Sequence, residues 1–120
     1  MTKVAKTAVV RTRAELRAAL AVAPRPIGLV PTMGWLHDGH RELMRRARAD
    51  NATAIATIFV NPRQFNEASD YTRYPRNEAR DFEIAAAEGV DLVFAPPVEE
   101  IYLPGFDTTV SVGEIGRAHV

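Results

Sequence analysis

The sequence contains no cysteine, so a disulfide framework, a thiolate zinc site and a cysteine nucleophile are all excluded. Lysine is nearly absent as well. Lys3 and Lys6 are the only two among fifteen basic residues, and the other thirteen are arginines. Fifteen acidic residues balance them, giving a formal net charge of zero. No global field therefore draws the chain to nucleic acid or to a membrane surface. Long apolar runs are missing too: "MTKVAKTAVVRTRAELRAALAVAP" is charged throughout and reads as neither a secretory signal nor a membrane span. Two phosphate-binding signatures do not occur, Gly-Lys-Ser/Thr after a glycine loop and Gly-x-Gly-x-x-Gly. What these absences leave is a soluble, cytoplasmic domain. With 120 residues, 47% of them hydrophobic, it can bury one core.

What is present is a run of short elements separated by prolines and glycines. "TAVVRT" (7–12) is suited to a short strand, and Thr12 with Glu15 forms a capping-box signature ahead of a helix to about Val22. "IGLVP" is a compact apolar run, expected to be a strand buried on both faces. In "HRELMRRARAD", Leu43, Met44 and Ala47 mark an inward stripe, with Arg45, Arg46 and Arg48 on a solvated face. "TAIATIFVN" reads as a second buried strand, and "PRQFNEASDYTRYPRN" as a loop of unusual length. Next comes the helix "EARDFEIAAAEGV", with Phe82, Ala85 and Ala86 on one face and Gly89 as its cap. "DLVFAP" is a third buried strand, "VEEIYLP" a short helix or turn, and "TTVSVGEI" a candidate edge strand. Strand and helix in alternation with short connections predict an α/β fold, a Rossmann-like parallel sheet with helices on both faces. Ligands of such sheets bind beyond the carboxyl ends of the strands. The segments after "IGLVP", "TIFVN" and "DLVFAP" should therefore converge.

The first of these segments, "GLVPTMGWLHDGHREL", carries His37 and His40 at i, i+3, where one helical turn projects both to the same side. At a helix N-terminus the N–H groups and the dipole favour an anion, and imidazole donors there suit phosphate oxygens. Gly34 and Gly39 allow close backbone approach or a positive φ. Two other readings remain open on pattern alone. The pair could share a zinc ion, although only His119 and carboxylates are left as further ligands, or it could be structural, each ring satisfied by a backbone partner.

"LVPTMGWLHDGH", "IFVNPRQF", "DYTRYPRN" with its acidic helix, and "GVDLVFAPPVEEIY" together closely resemble the N-terminal half of the pantoate–β-alanine ligase family. That family lies within the His-x-Gly-His nucleotidyltransferases. The resemblance runs from about Arg11 to Val112, in the family's order and spacing. It implies a two-step reaction, in which pantoate is adenylated by ATP and pantoyl adenylate is then attacked by β-alanine. It also implies an ATP-binding segment of Met33, Gly34, Trp35, Leu36, His37, Asp38, Gly39 and His40, with His40 as proton donor and His37 beside it on the phosphates. Gln64 matches a glutamine that contacts pantoate and β-alanine, and Met33 and Phe65 would wall pantoate's gem-dimethyl group. Arg73, Tyr74 and Arg76 suggest a phosphate role, but are expected rather to fix the long loop and cap the next helix.

Mg²⁺ is expected with ATP, without a dedicated protein site for it. A cytoplasmic homodimer is expected, with neither nucleic acid nor membrane as partner. The family's later blocks, Arg-Pro-Gly-His-Phe, the Lys-Asp pair and Ser-Ser-Arg, do not occur here, and "GEIGRAHV" leaves the family pattern. The resulting expectation is one Rossmann-like nucleotide-binding domain over 1–120, a truncated or separately expressed half without the C-terminal domain.

Overall fold

A computed structural model describes residues 7–102 of the protein, and the candidate edge strand "TTVSVGEI" lies outside them. Four strands, β1 (Ala8–Val10), β2 (Ile27–Thr32), β3 (Thr53–Ile58) and β4 (Leu92–Phe94), form one all-parallel sheet in the order β1-β4-β3-β2. The connections carry α1 (Arg13–Val22), α2 (Asp38–Asp50) and α4 (Glu78–Ala87), as parallel pairing requires of a crossover. Thr12 caps α1 as its sequence predicts: its side chain accepts from Glu15 N, and Glu15 returns a carboxylate to Thr12 N. The backbone bonds that the Glu15 carboxylate accepts, from Arg11 and Thr12, hold it below the usual carboxylate range.

Strand parity divides the interior. Val30, Ala56, Ile58, Val93 and Ala95 meet Leu36, Met44, Ile84, Ala85 and Val90 in one buried cluster, so α2 and α4 share a face of the sheet. Ile55 and Leu92 alternate to the other face, beside Ala19 and Val22 of α1. Helices thus lie on both faces. Among the described residues none of the helices is long and apolar enough to cross a membrane.

Several local expectations are corrected. β2 is not buried on both faces: it ends the strand order among the described residues, and Leu29 is 59% exposed while Val30 and Thr32 are buried. Apolar content alone could not reveal an end position, because that depends on which strands pair. Leu43 likewise faces outward, 55% exposed, so Met44 and Ala47 carry the inward stripe of α2. Ala86 is exposed, and Asp81, Ile84 and Ala85 form the buried side of α4. Nor are the arginines of α2 simply solvated. Arg41 and Arg45 both grip Glu88, at 2.7 and 2.8 Å, and Arg48 pairs with Asp91. Together the two guanidinium groups hold the Glu88 carboxyl below its ordinary range. The long loop is partly ordered by a 3₁₀ turn (Pro62–Gln64) and by α3 (Ala68–Arg73), and Arg76 donates to the carbonyls of Tyr71 and Tyr74. After β4, Val98–Ile101 form the short helix α5.

Candidate functional site

β2 delivers the chain to the site. Thr32, its last residue, is buried and bonds in two directions, donating from Oγ1 to Thr57 O at 2.9 Å and accepting from Gly34 N at 3.0 Å. Gly34 then takes φ +83° and Trp35 φ +52°, a pair of left-handed residues that turns the backbone from strand to helix. The glycine suits that turn, whereas a bulky aromatic in the same region is strained. Leu36 follows with its side chain fully buried in the core.

His37 is the N-cap of α2, and the two histidines cap reciprocally. Gly39 N donates to His37 Nδ1 at 3.0 Å, and His37 N donates to His40 Nδ1 at 3.1 Å. A ring nitrogen that accepts an amide proton carries none of its own. Each neutral imidazole therefore bears its proton on Nε2, which stays available as a donor. The rings lie 4.0 Å apart between centroids, tilted by 36°. Partial burial is the main force holding the His40 imidazole below the ordinary histidine range. Neighbouring His37 adds to it and Asp81 opposes it. His37 is exposed and His40 half-buried, so neither ring is sealed into the interior.

The imidazoles line an open cleft of about 600 Å³ with Met33, Gln64, Asn61 and Tyr74. Gln64 comes from the 3₁₀ turn after β3, which Asn61 starts by accepting from Arg63 N at 3.0 Å. Next to it, and sharing Met33 and Phe59, is a cavity of about 390 Å³ reached by Pro96, Pro97 and Val98 from beyond β4. The segments after β2, β3 and β4 thus converge. Of the ATP-segment residues, Asp38 and Gly39 form the exposed first turn of α2. Trp35 is half-exposed, and Leu36 belongs to the core. Phe65 does not line the cleft; it packs edge-on against Tyr71 and Tyr74, with centroids 5.8 and 5.9 Å away.

Sequence reasoning missed Asp81. Only 1% exposed, it accepts from Trp35 N at 3.0 Å and Leu36 N at 2.9 Å. An acidic residue in a helix's first turn ordinarily reads as a partner for the dipole. Its spacing from Ile84 and Ala85, three and four residues on, is the signal that puts it on the inward face. Asn61 and Tyr74 also line the cleft without having been singled out for it.

A family model described as pantoate-beta-alanine ligase matches residues 8–119. The chain belongs to that family. It is 58% identical to pantothenate synthetase from Roseiflexus sp. over 89% of its own length, and 57% identical to the Aquifex aeolicus enzyme of the same name over 78%. Those matches cover 38% and 33% of the two relatives, so the chain spans less than two fifths of their length. The crystal structure of pantothenate synthetase from Thermus thermophilus superposes with a TM-score of 0.77 at 50% identity, covering 85% of this chain and 36% of that one. Pantoate-beta-alanine ligase from Francisella tularensis, solved with a beta-gamma ATP ligand and beta-alanine, gives 0.78 at 37% identity over 82% and 39%. Both neighbours have the α/β fold of this family member, the region matched being the N-terminal part of the family's chain.

Proposed function

We propose that this family member is the nucleotide-binding domain of an enzyme that condenses pantoate with β-alanine through pantoyl adenylate. The observation that carries the reading is the histidine pair: two Nε2–H donors at the exposed first turn of α2, facing a cleft that also holds Gln64. In the first step a pantoate carboxylate oxygen bonds to the α-phosphorus of ATP. The bond from that phosphorus to the bridging oxygen breaks, and pyrophosphate leaves with the electron pair. His37 and His40 donate to the oxygens on which this charge grows, and the helix end adds its dipole. Burial lowers the His40 pKa and so favours the neutral ring, whose Nδ1 accepts the His37 amide and whose Nε2–H is left to hydrogen-bond the departing pyrophosphate. In the second step the β-alanine amine attacks the acyl carbon, AMP leaves with the electrons of the anhydride bond, and the nitrogen loses a proton.

Gln64 orients the two small substrates through its amide, and Met33, between the two cavities, supplies an apolar wall. Phe65 acts through Tyr74, fixing the ring that lines the cleft. Among the described residues no three His, Asp or Glu side chains gather to hold a metal, and Asp81 is engaged by two amides. Mg²⁺ is therefore assigned to the triphosphate as its counterion, and no step is routed through it. The working enzyme is a cytoplasmic homodimer in this reading.

Mixing the protein with ATP, pantoate and β-alanine and following AMP release tests the reaction. AMP that depends on both small substrates supports it, and AMP released equally with unrelated acids points instead to another adenylyl transferase. ATP binding with no turnover favours a non-catalytic domain.

A further inference from the structure

Two adjacent residues of α4, Arg80 and Asp81, grip the turn that precedes the histidine pair. Asp81 accepts the amide protons of Trp35 and Leu36, one on each carboxylate oxygen. Arg80 takes the next peptide, between Leu36 and His37: Nη2 donates to Leu36 O at 2.8 Å, and the guanidinium lies 4.8 Å from the Trp35 ring centroid. Its Nη1 is buried without a hydrogen-bond partner among the described residues, 3.5 Å from Asp81 Oδ1, so charge rather than hydrogen bonding ties the two side chains. Space is tight as well. A Cβ on Gly34 would stand 3.1 Å from Asp81 Oδ2.

These contacts converge on the strained part of the backbone, the consecutive positive-φ residues Gly34 and Trp35. Left-handed backbone at a tryptophan persists only where its surroundings over-determine it. Leu36 immediately precedes His37, whose own N–H and Nδ1 make the reciprocal cap. We propose that Arg80 and Asp81 are positioning residues that hold the Gly34–Leu36 turn so that both imidazoles keep Nδ1 on the backbone and Nε2–H toward the cleft. Neither side chain touches the reacting groups, and the effect passes through the Trp35 and Leu36 peptides. The inference rests on the proposed function only for what the imidazoles bind. The grip itself is readable without any ligand.

The test uses the 120-residue protein with ¹⁵N labelling, as wild type, Asp81→Asn and Arg80→Ala. Asparagine keeps the shape but sets an NH₂ against one of the two amides. In Asp81→Asn, amide exchange at Trp35 and Leu36 should accelerate about tenfold, the size of one lost bond to a charged acceptor. The His37 and His40 nitrogen shifts should move from the Nε2–H tautomer toward a mixture, and Tm should fall. Arg80→Ala should move the emission of Trp35, the sole tryptophan, and shift the imidazole signals in the same direction. Should Asp81→Asn fail to fold, Arg80→Ala decides through the same signals.

Wild-type tautomers and wild-type exchange in a folded variant overturn the proposal, whatever happens to Tm, because a merely stabilising contact would leave the imidazoles alone. ATP titration adds the functional arm: about tenfold weaker binding in Asp81→Asn, the same lost bond, is the expected result. If the wild type binds no ATP, the functional reading fails while the imidazole signals still judge the grip.

Discussion

The backbone N–H of His37 is bonded to the ring of His40, and the ring of His37 in turn accepts the N–H of Gly39. Each imidazole thus spends one nitrogen on the first turn of α2 and keeps the other for whatever enters the cleft. A histidine pair of this kind is both a structural cap and a chemical group, and substituting it perturbs both.

The pH dependence follows from that arrangement. The folded-state pKa of His40 lies below its ordinary value, so the unfolded chain binds this proton more readily. The stability that His40 contributes is complete above the unfolded histidine pKa, near about 6.5, and is lost as pH falls through the lower folded value. A protonated Nδ1 cannot accept the His37 amide. Thermal midpoints measured between about pH 8 and pH 5, a range that brackets the histidine titration, should therefore fall on the acid side. In His40→Ala the part of that slope due to histidine should flatten.

Leu36 sits within the segment matched to ATP, yet its side chain is fully buried in the core. Leu36→Ala should destabilise the fold by about 3 kcal/mol, the usual range for a cavity left by a buried leucine. Chemical denaturation would measure it. A loss below about 0.5 kcal/mol would fit a surface residue and would contradict this burial.

Gly34→Ala combines a left-handed φ of +83° with a Cβ 3.2 Å from Ile58 Cγ2. The conformation alone costs about 1–2 kcal/mol for an L-residue. Lower stability should come with altered Trp35 fluorescence, because the tryptophan is the next residue in the same turn. Unchanged values of both would mean that the turn does not need glycine.

Glu88 joins α2 to the end of α4 through Arg41 and Arg45. Its carboxyl is depressed chiefly by the bond from Arg45 and then by that from Arg41, so its contribution is present above the unfolded carboxylate pKa and disappears as pH falls through the folded one. Arg45 is exposed, and solvent screens much of the attraction. Glu88→Gln should lower Tm by a few degrees, roughly what a sub-kcal/mol loss costs a domain of this size. The difference should shrink in high salt. Equal salt dependence of wild type and variant would count against this ion pair.

How much of this was legible beforehand varies with the physics of each feature. Local signals spoke clearly: Thr12 and Glu15 capped α1, and Gly89 took φ +84° just past α4. The order of apolar runs and helices implied the parallel sheet, because parallel neighbours need long crossovers. What stayed hidden depended on tertiary neighbours. Leu29 and Leu43 read as core residues, yet no described element covers them, since burial on a strand or a helix depends on what packs beside it. Asp81 went unnoticed because one sequence position cannot reveal that two amides of a distant turn will meet it. Phe65 read as a substrate wall, and the sequence did not show that it packs against two tyrosines of its own loop. The histidine pair was visible as a motif. That both rings turn Nδ1 to the backbone was not, because the spacing fixes a side of the helix but no ring orientation.

The central claim is that the two free Nε2–H groups meet the phosphates of a nucleotide, and calorimetric titration with ATP tests it most directly. The wild type should bind, with His37→Ala and His40→Ala each weaker by about tenfold, the size of one lost bond to a charged oxygen. Folding of both variants would be checked by circular dichroism. Wild-type ATP affinity in both folded variants would contradict the account.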